Sequence, residues 1–222
     1  MDTKNFPVIP SDRSDDLHNL EIADGADLVL FMAGNQFMAM KEIVFAFKKE
    51  YPDIKYIFYE TLPPGLELKQ ILAGGAFFRG RIIDVRADIY SSVNEKAMKT
   101  LEEAGYLLKK DYHLYLHNRL TLMVPKNNPA GITSVADLGR DSVRVSQPDP
   151  ANEDIAFHKA SGIEIDVVEP GEDLDQRSRI NYYICKLKHA PRPENADKFI
   201  DFIRSSTARH IYEKFGFLPP VK

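Results

Sequence analysis

The sequence predicts an α/β protein of two lobes, with mixed, mostly parallel sheets covered by helices and two crossover strands between the lobes. Two observations carry that expectation. Residues 27–105 alternate short apolar runs with segments of helical period, in the order β-α-β-α-β-α, the rhythm of a parallel sheet covered by helices. Beyond them, two long strand-like runs, 112–125 and 179–190, bracket a middle section, as two passages between lobes would. The expected division is lobe 1 from 27–124 together with 180–222, lobe 2 from 125–179, and a mobile leader over 1–26.

Each element has its own local reason. The opening "MDTKNFPVIPSDRSDD" is polar, lacks the basic-then-apolar order of a secretion signal, and reads as a leader. Asp27 to Met32 is a buried strand. A helix follows, with Phe37, Met40, Val44, Phe47 and Tyr51 forming one stripe, and "YPD" stops it. "IKYIFYE" (54–60) is rich in aromatic and β-branched residues and predicts a second strand. "LPPG" turns the chain into the short helix "LELKQILAGG", ended by its glycines. "ADIYSS" (87–92) is a third strand, and "VNEKAMKTLEEAG" a helix closed by Gly105. In the middle section a short helix is expected near Ser134 to Leu138, strands at 143–146 and over "IEIDVVEP", and a helix over "NEDIAFHKA". The segment "ENADKFIDFIRSSTARHIYEKFG" closes the chain as helix, with Phe199, Phe202 and Ile203 on one side.

The totals exclude several functions. The formal net charge of −4 provides no basic field for nucleic acid. Cys185 is the only cysteine, which rules out an intrachain disulfide framework and a cysteine-rich metal site. No apolar run is long enough to cross a bilayer. His113 and His117, four apart on a strand, share a face but have no acidic or cysteine companion for a metal. "GGAFFRGR" (74–81) lacks the GK[ST] ending of a phosphate-binding loop and follows a helix.

Four stretches carry a resemblance: "LVLFMAGNQFMAMKEIVFAFKKEYPDI", "ADIYSSVNEKAMKTLEEAG", "HNRLTLMVPKNNPAGITSVADLGRDSVRVSQP" and "PENADKFIDFIRSSTARHIYEKFGFLPP". Through them the chain resembles the substrate-binding components of molybdate and tungstate ABC transporters, within the type II periplasmic solute-binding superfamily. The resemblance implies a periplasmic-binding-protein-like fold and a small oxyanion held in the cleft between the lobes. It also implies delivery to a membrane permease, and a place in the periplasm or on the outer face of the membrane. No cofactor, no enzymatic activity and a monomeric state are expected with it. One departure stands out: lobe 2 is short, and relatives usually carry further elements between 158 and 159 that supply part of the ligand shell.

An oxyanion suits a place where helix N-termini and small hydroxyl or amide donors converge. Three strand-to-helix joints qualify. At the first, Gly34 permits close backbone approach while Asn35 and Gln36 carry carboxamide donors; relatives generally place a hydroxyl residue here. The second is Ser91-Ser92, a position that donates to the ligand in the family. The third is Ser146-Gln147 in "VSQPDP", a turn that faces the cleft in relatives. Each has a plainer reading as a turn or helix cap. Other functions stay open at this stage: a binder of a small organic anion on the same fold, an enzyme on that scaffold, or the effector domain of a transcription regulator.

Overall fold

Three parallel strands form the spine of the protein. The computed structural model describes residues 3–119, 121–145, 165–168 and 180–220. The first strands are β1 (Val8–Ile9), β2 (Leu17–His18) and β3 (Leu28–Phe31), followed by α1 (Phe37–Glu50), β4 (Ile57–Glu60) and α2 (Pro64–Ala73). Next come β5 (Ala76–Phe78), β6 (Arg81–Ile83), β7 (Ile89–Ser92), α3 (Glu95–Glu103), β8 (His113–Asn118) and β9 (Leu122–Pro125). The chain closes with β10 (Ile165–Val168), β11 (Ile180–Lys186), α4 (Pro193–Ile203) and α5 (Ser206–Lys214).

Six strands share one sheet in the order β2-β4-β3-β7-β11-β8. β3 runs parallel to both β4 and β7, while β11 is antiparallel to its neighbours β7 and β8. Both faces of the sheet are covered, which is why β3 is a continuous apolar run with no polar alternation. One face packs on α1, α4 and α5 through residues such as Met40, Phe47, Phe199 and Tyr212. The other packs on α2, α3 and the β5–β6 hairpin through Ile71, Met98, Leu101 and Phe78. In α1 the buried residues are Ala39, Met40, Ile43 and Phe47, so the stripe sits slightly around from the predicted one. Cys185 is fully buried in the second core.

Several sequence expectations are corrected. The first residues are not a loose leader: β1 pairs with β5, β2 pairs with β4, and Phe6, Ile9 and Leu17 are buried. The segment is polar on average, but its few apolar side chains each reach the core. "GGAFFRGR" forms the β5–β6 hairpin, whose turn places Arg79 and Gly80 at φ of 48° and 75°. The run 112–125 is two strands, not one: β8 stays in the main sheet, and β9 pairs with β10 in a separate antiparallel ribbon. The helix near 134–138 is a 3-10 turn over Ala136–Gly139, and residues 143–145 are not strand. The final helical segment is broken at Arg204–Ser205, where the Ser205 hydroxyl caps α5 by accepting from the Ala208 N–H at 3.3 Å. The helix expected over 152–160 and the Ser146-Gln147 turn lie outside the described residues.

Two buried acidic clusters brace opposite ends of the sheet. Asp88, fully buried where the chain enters β7, accepts from the Val29 N–H at 2.8 Å and the Arg192 N–H at 2.8 Å, and pairs with the Arg192 guanidinium at 3.0 Å. It thereby fastens β3, β7 and the start of α4. At the other end Glu60, Glu67 and Gln70 are all buried. The Gln70 amide donates to Glu60 Oε1 at 3.1 Å, and the Leu62 N–H donates to Glu67 Oε1 at 3.2 Å. Burial pushes the Glu60 carboxyl up to about 8, against the bond from Gln70. It raises Glu67 too, and the adjoining Glu60 adds to that rise.

Two outcomes are expected. Asp88→Ala strands the half-buried Arg192 guanidinium and should cost about 3–5 kcal/mol in urea unfolding; a loss under 1 kcal/mol would refute the brace. Glu60 binds its proton more tightly folded than unfolded, so its contribution is intact below the unfolded carboxyl value and is lost as pH rises towards 8. Wild-type stability should fall between about pH 5 and 8 by up to about 1.4 kcal/mol per unit. Glu60→Gln should flatten that slope, and an unchanged slope would show that Glu60 is not the group responsible.

Candidate functional site

The carboxyl ends of β3, β4 and β7 lie side by side at one edge of the sheet. The chain leaves β3 towards β4 on one side, then crosses back from β4 to β7 on the other. Between β3 and β7 the connections diverge, and such a switch point opens a crevice at strand ends. The two loops that border it hold the first two predicted joints, 32–36 and 91–94.

At the first joint Gly34 opens a 3-10 turn, Gly34–Gln36, that runs directly into α1. A Cβ on Gly34 would lie 2.9 Å from the carbonyl oxygens of both Thr61 and Leu62, so only glycine lets the β3 and β4 corners approach this closely. No side chain caps either the 3-10 turn or α1. The contrast with α3 is sharp, where Asn94 accepts from the Ala97 N–H at 2.9 Å. Ser92 is therefore not the cap of α3; it is the last residue of β7.

Gln36 is fully buried, and its amide closes a ring of hydrogen bonds. Its Nε2 donates to Ser91 Oγ at 3.1 Å, and Ser91 Oγ and Tyr115 Oη lie 2.7 Å apart. The Tyr115 hydroxyl then donates to Gln36 Oε1 at 2.7 Å, which also accepts from the Tyr212 hydroxyl at 2.7 Å. With Tyr115 donating to Gln36, Ser91 must donate to Tyr115, and every proton in the circuit has a place. Burial raises both tyrosines well above the usual phenol range, so the hydroxyls remain neutral donors. Gln36 and Ser91, expected to present donors to a ligand, are engaged within the ring in this structure, Gln36 donating to Ser91 and Ser91 to Tyr115.

Asn35 and Ser92 have a different situation. The Asn35 amide donates to the Tyr182 hydroxyl at 2.6 Å, while its buried Oδ1 has no hydrogen-bond partner among the described residues. Burial pushes Tyr182 up to about 12. Alternation along β7 sets Ser92 on the sheet face opposite Ser91, across from Tyr183, with its buried Oγ also unpartnered among the described residues. Both orphan atoms sit at the strand ends that border the switch point.

Sequence reasoning missed Tyr115 and Tyr212, which Tyr182 of β11 joins beside the two joints. With Phe217 they form edge-on aromatic contacts at 5.3–6.4 Å around Gln36 and Asn35. Only the strand periodicity of 112–118 could have pointed Tyr115 inward. His117 is buried beside β11, and the described residues contain no group of three metal-ligating side chains.

Comparison with known proteins places this geometry. The family model described as bacterial extracellular solute-binding protein matches residues 28–156 and 151–218, two pieces that meet near the expected short lobe. A Bacillus subtilis relative, named "Putative ABC transporter substrate-binding lipoprotein YvgL", is 24% identical over 174 residues, 59% of this chain and 67% of the relative. In fold, the chain is similar to the periplasmic molybdate-binding protein of Azotobacter vinelandii, with a TM-score of 0.60, 13% identity, and 87% and 100% of the two chains covered. The sulfate-binding protein SubI of Mycobacterium tuberculosis gives a TM-score of 0.62 at 12% identity, with 86% of each chain covered. A mixed α/β sheet of this topology and the family match lead to one conclusion: the chain belongs to the bacterial extracellular solute-binding proteins.

Proposed function

We propose that the solute is a small tetrahedral oxyanion of the molybdate, tungstate or sulfate kind, bound without catalysis and handed to the permease. The observation that carries this reading is the uncapped first turn at Gly34–Gln36, beside two buried polar atoms without partners among the described residues, Asn35 Oδ1 and Ser92 Oγ. An uncapped helical start offers backbone N–H groups and the positive end of the α1 dipole to an anion. Asn35 fits the role when its amide turns end for end. It then accepts from the Tyr182 hydroxyl and presents its NH₂ where the lone oxygen stood. Ser92 supplies a hydroxyl from the second joint. Gln36 and Ser91 hold the floor beneath them, and Ser146-Gln147 are the proposed contribution from the second lobe.

The charge state nearby supports the same reading. Glu67 holds the Leu62 N–H within one residue of the contact with Gly34, and an ionised carboxylate there would repel an anion. Burial raises both carboxyls, Glu60 to about 8, which favours their neutral forms. The fold likeness to molybdate- and sulfate-binding proteins agrees with neutral donors as the holding groups.

A thermal-shift panel of molybdate, tungstate, sulfate, phosphate and small carboxylates tests the reading. A tetrahedral oxyanion at about 100 times its dissociation constant should add about 2.7 kcal/mol of stability; a response confined to carboxylates would replace the proposal with an organic-anion binder. Ser92→Ala should weaken oxyanion binding by about tenfold with stability unchanged or slightly raised, because the hydroxyl caps nothing. Asn35→Asp should abolish binding by setting a negative charge at the mouth. Loss of stability in Ser92→Ala with affinity intact would overturn the assignment of that hydroxyl.

A further inference from the structure

A second cavity lies on the α2–α3 face of the sheet, apart from the switch point. Its volume is about 400 Å³, within the range of small-molecule sites. Phe31, Ile71, Ala87 and Leu187, all buried, line its interior, and the C-terminal ends of α2 and α3, at Gly74 and at Ala104–Gly105, frame its mouth. One polar side chain enters from inside the core. Gln70 is 1% exposed, its Nε2 is held by Glu60, and its Oε1 has no hydrogen-bond partner among the described residues.

As the amide stands, Nε2 is the end that Glu60 engages. With Nε2 engaged, the group that remains is an acceptor, so the cavity calls for a donor. A buried amide oxygen without a partner costs free energy that a ligand donor would recover, whereas an apolar guest would leave that cost in place. The carboxyl ends of both helices lie at the mouth, and the partial negative charge of their dipoles disfavours an anion there. We propose that this cavity is a second ligand site, taking a neutral, largely apolar small molecule that presents one N–H or O–H donor to Gln70 Oε1. Its chemistry is the complement of the switch-point crevice, which offers donors, so the two sites select different guests.

Indole and benzofuran, alike in shape but only the first an N–H donor, serve as probes. In a titration followed by backbone amide NMR, indole should saturably shift the Gly74 and Gly105 signals, and benzofuran should bind about fivefold more weakly. Ala104→Trp changes an exposed residue at the mouth and should abolish both titrations while leaving the oxyanion thermal response as in the parent chain. Gln70→Leu should bring the two affinities together; if that variant does not fold, the comparison in the unaltered chain decides. Equal affinity for the two probes, shifts scattered away from the cavity, or an unchanged titration in Ala104→Trp would each overturn the proposal.

Discussion

The buried Gln36 amide is the interaction on which the rest depends. It joins the start of α1 to the end of β7 through Ser91, to β8 through Tyr115 and to α5 through Tyr212. These partners lie 55, 79 and 176 residues away in the chain, so the ring closes only when the whole α/β layer has assembled. Removing any one member leaves the others buried without partners, at about 1–3 kcal/mol for each such group. The ring also has a functional consequence. Because these bonds hold Gln36, they also fix the height above the sheet of the turn immediately before it, at Gly34 and Asn35.

The site is built by what these braces leave unsatisfied. Asn94 caps α3 and Ser205 caps α5, yet α1 begins with no side-chain cap. Gly34 lies close against the Thr61 and Leu62 carbonyls, which brings the corners of β3 and β4 together. Behind them burial raises the carboxyls of Glu60 and Glu67, which favours their neutral forms and lessens negative charge at the edge proposed to face an anion. A chain of formal net charge −4 can thus hold an anion with neutral dipoles, because local donors decide binding at contact distance while the net charge is screened within about a Debye length. Gln70 links this edge to the second cavity, since the side chain that donates to Glu60 also lines the α2–α3 pocket, with its oxygen unpartnered among the described residues.

Much of the fold was legible in the chain itself. The alternation of apolar runs and helical stripes over 27–105 marked β3, α1, β4, α2, β7 and α3 in order, because strands covered on both faces and helices buried on one leave distinct apolar periods. The two strand-to-helix joints at Gly34–Gln36 and Ser91–Ser92 were recognisable for the same reason, as polar residues at the ends of apolar runs. What periodicity cannot encode is the partner of a polar side chain. Gln36 and Ser91 carry the same donors whether a ligand or a tyrosine from 79 residues away receives them, and only the packing of β8 and α5 against α1 assigned them to the interior. The opening segment was misjudged for a related cause: its average polarity hides Phe6, Ile9 and Leu17, whose burial depends on a sheet edge formed by distant residues. The sequence by itself determined the order of the elements and the corners where chemistry gathers, since both follow from local spacing. Tertiary structure alone decided which of those polar groups were paired and which were left to face a guest, because hydrogen-bond satisfaction is a property of neighbours brought together in space.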